Sequence, residues 1–117
     1  MFPDFLPNDV YLLEHPDSIA LAKSIQRIGI STSLSKREIE TAYVQSGEGD
    51  APLLLLHGFD SSLLEYRHIY LLLAAQRETW ALDLLGFGFS DRFKDLSYNP
   101  QTIKEHLYCF WRKMINR

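Results

Sequence analysis

Residues 53–62 read Leu-Leu-Leu-Leu-His-Gly-Phe-Asp-Ser-Ser. Four consecutive apolar residues between Pro52 and Gly58 are too few for a helix. They suit a strand buried on both faces, as in a parallel sheet covered by helices. The strand runs into His57-Gly58-Phe59. Ser62 with Glu65 then forms the signature of a capped helix start, and the helix is expected to reach about residue 75. Ligands of open α/β sheets bind beyond the carboxyl ends of the strands, so a site would form on this loop. Gly58 lets a substrate come close to the backbone. A backbone N–H exposed there can stabilise a developing oxyanion.

A second stretch repeats the pattern. Thr79 to Leu84 is another buried-strand candidate, and it runs into the turn Gly86-Phe87-Gly88. Asn99 is a good N-cap and Pro100 suits the first helical position. Ile103, Leu107, Phe110, Trp111 and Met114 follow as one apolar stripe. Strand, helix, strand and helix in this order predict a βαβ unit within an α/β fold. Upstream, residues 39–45 alternate weakly as a strand, and residues 46–50 form a turn. Residues 29–34 are β-branched and Ser-rich, which suits another strand. Asp17 or Ser18 is expected to cap a helix over residues 17–28, closed by Gly29. Residues 1–16 read as an irregular arm whose Phe2, Phe5, Leu6, Tyr11, Leu12 and Leu13 suit contact with the body or a partner.

The two motifs together resemble the α/β-hydrolase family. There a strand ends in His-Gly-x, a helix follows, and the next strand continues as Asp-x-x-Gly-x-Gly-x-Ser. The matching residues are His57-Gly58-Phe59 and Asp83-Leu84-Leu85-Gly86-Phe87-Gly88-Phe89-Ser90. The resemblance implies an incomplete α/β-hydrolase sheet: an early antiparallel strand followed by the βαβ unit, over residues 17–117. It implies that His57, Gly58 and Phe59 form the oxyanion loop, with the Phe59 amide as one donor. His57 is then a loop-shaping residue hydrogen-bonded to backbone. Asp83, Gly86 and Gly88 form a turn at the same rim, with Asp83 as its brace.

The family's nucleophile sits in Gly-x-Ser-x-Gly or a relative of it, and no such sequence occurs in the 117 residues. The resemblance places the next strand, the nucleophile, the acid and the base after Arg117. The chain is therefore expected to be a truncated, N-terminal fragment of a serine-type hydrolase acting on ester or related acyl bonds, with no catalytic residue of its own. A small molecule would be the substrate of the full-length parent. The strand ending at Leu56 would lack a neighbour, leaving an apolar edge prone to self-association. The competing readings are a non-catalytic interaction protein that uses this open edge, and one half of a split hydrolase completed by another chain.

Composition narrows the alternatives. The chain is 46% hydrophobic and 23% charged, with a formal net charge of -3, which fits one globular domain rather than a disordered segment. The mild acidity argues against a nucleic-acid partner, and Arg112, Lys113 and Arg117 suit the end of a helix. No secretory signal or membrane-spanning run is present, so a cytoplasmic protein without membrane attachment is expected. A lone Cys109 precludes an internal disulfide and reads as a half-buried packing residue. His-Glu-x-x-His is absent, and His68 and His106 are expected to be solvated helix histidines. Asp91 replaces the third glycine of a dinucleotide fingerprint, and there is no Walker lysine. No cofactor and no metal are expected.

Overall fold

The computed structural model describes residues 1–58, 61–93 and 96–116. Phe59, the expected oxyanion donor, and Arg117 lie outside the described residues. Among the described residues four strands form one sheet: β1 (Gln26–Thr32), β2 (Ser35–Ser46), β3 (Leu53–Leu56) and β4 (Thr79–Leu82), in spatial order β1-β2-β4-β3. β1 and β2 form an antiparallel hairpin, β2 pairs antiparallel with β4, and β4 pairs parallel with β3. This is the early antiparallel strand followed by a βαβ crossover that the sequence predicts.

Alternation along the central strands gives the sheet two buried faces. Ala42 and Val44 of β2 and Ala81 of β4 face a cluster containing Leu21, Ile25, Leu63 and Tyr70. Tyr43, Trp80 and Leu82 face the other way, toward Ile30, Phe110 and Ile115. β3 is different. It lies at the sheet edge, its first three leucines are half-buried, and Leu56 is 40% exposed. The expected burial of Leu53–Leu56 on both faces is therefore corrected: this strand has one sheet neighbour among the described residues.

The helix expected over residues 17–28 is shorter. α1 spans Pro16–Lys23, with His15 rather than Asp17 or Ser18 as its N-cap. His15 Nδ1 accepts the Asp17 N–H at 3.1 Å. The helix stops at Ser24, whose hydroxyl donates back to the Leu21 carbonyl at 2.8 Å. Ile25 and Ile28 have helical spacing, but Ile28 and Ile30 also have strand spacing, and the ladder with β2 decides for the strand. The N-terminal arm contains a 3₁₀ turn, Asn8–Leu12, and lies on the body: Leu6 and Val10 are buried against the α1 side of the core.

The single helix expected after the loop is also divided. A 3₁₀ turn, Leu63–Tyr66, comes first, and α2 covers only Tyr70–Ala74. Ser62 caps as expected, accepting from the Leu64 N–H, but Glu65 bonds elsewhere and completes no capping box. The first turn is drawn toward the sheet rim, and α-helical geometry begins after it.

α3 (Pro100–Phe110) starts as predicted. Asn99 accepts the Thr102 N–H at 3.0 Å, and Thr102 Oγ1 accepts the Asn99 N–H at 3.1 Å. Asn99→Ala is expected to lower stability by about 1 kcal/mol, measurable as a shift of the urea unfolding midpoint. α3 runs into a π turn, Trp111–Ile115, closed by Asn116 N–H to the Trp111 carbonyl at 2.9 Å. The extra residue in that turn brings Ile115 into the core and leaves Trp111 at the surface, so Trp111 drops out of the expected stripe.

Candidate active site

β3 and β4 run side by side and end together, with Leu56 opposite Leu82. The loops that follow meet at one rim of the sheet. His57 is buried, and its Nε2 accepts the Leu84 N–H at 3.1 Å. The proton therefore sits on Nδ1, which donates to the Gly58 carbonyl at 2.8 Å. With both nitrogens committed to backbone, the ring ties the β3 loop to the β4 loop and is not free to act as a base. The edge of Phe87 closes over it, with ring centroids 5.5 Å apart.

Gly58 is exposed, and its N–H donates to Glu65 Oε1 at 3.1 Å. That bond, helped by Ser61, holds the Glu65 carboxyl below the usual carboxylate range. Beside it, the Tyr66 hydroxyl donates to the Leu56 carbonyl. The 3₁₀ turn therefore grips the strand end on either side of His57. Neither Glu65 nor Tyr66 was singled out for this role by sequence. The only available signal was Glu65 at a capping-box spacing, which pointed to a different partner.

Asp83 is completely buried. One carboxylate oxygen accepts the Leu63 N–H at 2.7 Å and the other accepts the Phe89 N–H at 2.7 Å. Burial pushes the carboxyl above its ordinary range, while the Phe89 and Leu63 N–H groups pull the other way. The glycines of the motif make room for this arrangement. Gly88 has φ +55°, and a Cβ there would fall inside the Asp83 carboxylate. Gly86 has φ +85°, and a Cβ there would press on the Tyr98 ring at 3.1 Å. Ser90 finishes the turn: its hydroxyl donates to the Asp83 carbonyl at 2.7 Å and accepts the Ala42 N–H at 2.9 Å. Asp83, Gly86, Gly88 and Ser90 thus form one interlocked turn.

His106 corrects an expectation. It is fully buried rather than solvated. Its Nδ1 accepts the Leu85 N–H at 3.0 Å, and its Nε2 donates to Thr41 Oγ1 at 2.8 Å. The Thr41 hydroxyl in turn donates a hydrogen bond to the Ile39 carbonyl at 2.9 Å. Burial pulls the imidazole down to about 4, so it is neutral near pH 7. Its spacing gave a signal: His106 follows Ile103 by three and precedes Phe110 by four, on the apolar stripe. Cys109 is half-buried, and burial raises its thiol, so it is not an activated nucleophile.

No family model matches the chain. The α/β-hydrolase domain-containing protein VTE7 of Arabidopsis thaliana is 36% identical over 122 aligned residues, covering 99% of this chain and 37% of that protein. A thermophilic esterase from Thermogutta terrifontis superposes with a TM-score of 0.67 at 27% identity, covering 75% of this chain and 32% of the esterase. A haloalkane dehalogenase variant from Bradyrhizobium elkanii superposes with a TM-score of 0.66 at 27% identity, over 77% of this chain and 28% of the dehalogenase. The chain spans about a third of the length of the proteins it matches. These similarities fall on a sheet whose rim is built from His57-Gly58 and from the Asp83–Ser90 turn, and the chain belongs to the α/β-hydrolase family, of which it carries the N-terminal part of the fold.

Proposed function

We propose that these residues are the N-terminal part of a serine-type hydrolase acting on ester or related acyl bonds, and that they supply its oxyanion loop. The observation that carries this reading is the bracing of the loop at the end of β3. His57 ties it to Leu84, Glu65 accepts the Gly58 N–H, and Tyr66 holds the Leu56 carbonyl. A strand end braced in this way suits an oxyanion loop, whose backbone donors work best with little reorganisation while charge develops. The Gly58 N–H is already donated to Glu65, which favours the next amide, that of Phe59, as the donor. The serine, acid and base would come from outside these residues, since no Gly-x-Ser-x-Gly occurs among them. Serine attack would then proceed through an acyl-enzyme. The esterase among the structural relatives supports acyl chemistry.

A second reading rests on the edge position of β3, which pairs only with β4 among the described strands. In that reading the edge docks a complementary chain, either as a non-catalytic interaction or as half of a split hydrolase. One experiment separates the readings. Turnover of a simple activated ester is measured with the 117-residue chain alone. It is measured again with the chain joined to, or mixed with, the nucleophile-bearing remainder of a relative. No turnover alone and turnover on completion is expected, and Phe59→Pro should lower it by about 10²–10³-fold. Turnover that survives Phe59→Pro removes the loop assignment. Binding of the remainder with no turnover favours the interaction reading.

A further inference from the structure

The chain has four histidines. His57 and His106 are buried, with both ring nitrogens engaged. The other two, His15 and His68, are exposed and come from distant parts of the sequence, yet their rings meet edge to face with centroids 4.7 Å apart. Asp17 stands between them. Its N–H reaches His15 Nδ1 at 3.1 Å, and its Oδ2 pairs with His68 Nδ1 at 2.9 Å. One ligand atom from each of the three residues lies within 4.8 Å of the other two.

We propose that His15, Asp17 and His68 form a surface site for a divalent transition-metal ion of the zinc type, with water completing the coordination. Two imidazoles and one carboxylate are a donor set that zinc accepts. Zinc bond lengths put neighbouring tetrahedral donors about 3.4 Å apart. The three side chains are exposed, so small rotations can draw them in from their present spacing. Asp17 Oδ2 and His68 Nδ1, now 2.9 Å apart, exchange their mutual hydrogen bond for bonds to the ion. His15 exchanges its contact with the Asp17 N–H for the ion.

The surrounding charge makes the site selective. Arg67 is near enough to act on Asp17, and the start of α1 carries partial positive charge. Both oppose a cation held by charge alone. Binding therefore depends on the imidazoles, which favour zinc, copper or nickel over magnesium or calcium. Such an ion would staple the start of α1 to the segment directly after Leu63–Tyr66, the turn that grips the rim loop. This inference is independent of the hydrolytic reading.

The test is a calorimetric titration of the 117-residue protein with zinc near neutral pH, paired with a thermal melt. One saturating zinc ion per chain and a raised Tm are expected, with magnesium producing neither. His15→Asn preserves an N-cap and His68→Gln preserves a polar side chain, so both variants should fold. Each is expected to weaken zinc binding by about tenfold or more. Cys109→Ser should leave it unchanged. The proposal is overturned if zinc does not saturate at millimolar concentration. It is equally overturned if the double variant His15→Asn/His68→Gln binds as tightly as the parent.

Discussion

Asp83→Ala is expected to destabilise the fold by about 4 kcal/mol. The side chain is fully buried, and each carboxylate oxygen accepts one backbone N–H at 2.7 Å. Alanine would leave the Leu63 and Phe89 amides without their acceptor. Each orphaned donor costs about 1–3 kcal/mol, and the space left behind adds to that. Asp83→Asn keeps the volume and one acceptor but turns an NH₂ toward the other N–H, so about half the loss is expected. Urea unfolding of the three proteins measures the series. A loss below about 1 kcal/mol for Asp83→Ala would show that the Asp83 carboxylate does not hold the turn.

Acid is expected to act through His106. The folded protein holds this imidazole neutral, at about 4 against an ordinary histidine value of 6.5. Below pH 6.5 the unfolded chain takes up a proton that the folded chain refuses. The contribution is complete above 6.5, is lost progressively as pH falls toward 4, and changes no further below that. The gap from 6.5 to about 4 corresponds to about 3 kcal/mol. Full burial leaves little solvent to screen the effect. Asp83 works in the opposite direction, because its raised carboxyl binds a proton more tightly in the folded state. Comparison with His106→Gln isolates the histidine. The variant starts less stable, and its unfolding free energy should lose most of the decline between pH 7 and pH 4. Parallel profiles for parent and variant would contradict the assignment.

The rim of the sheet was the most legible part of the sequence. Gly86 and Gly88 signal local backbone shapes that few other residues can adopt, and Leu53–Leu56 before His57-Gly58, with Asp83 and Ser90, mark the two strand ends beside them. Their spacing carried most of the information. Asn99 and Pro100 were legible for the same reason, since a cap acts on its own first turn. Features decided at longer range were not legible. Ile25 and Ile28 fit a helix until β2 offers a ladder, and nothing inside residues 17–28 announces that partner. Glu65 stood at a capping-box spacing but found the Gly58 N–H across the loop instead. The burial of His106 needed one more step than polarity alone provides, namely reading its place on the Ile103–Phe110 stripe before its charge. The π turn at Trp111–Ile115 was invisible to a 3.6-residue period, so the stripe kept Trp111 and missed Ile115.

The position of β3 also sets an order of assembly. β1 and β2 are joined by a short turn and close at little entropic cost. β3 meets β4 only after the whole segment between Leu56 and Thr79 has been gathered into a closed loop. That closure costs more chain entropy than the hairpin's. The hairpin can nucleate early, whereas β4 pairs with β2 across a longer separation, Tyr43 to Leu82, than it pairs with β3, Leu56 to Leu82. The strand end at Gly58 therefore takes its place only once β3 and β4 have met. Among the described residues it is held less by the sheet, which pairs β3 on one side, than by the contacts of His57, Glu65 and Tyr66.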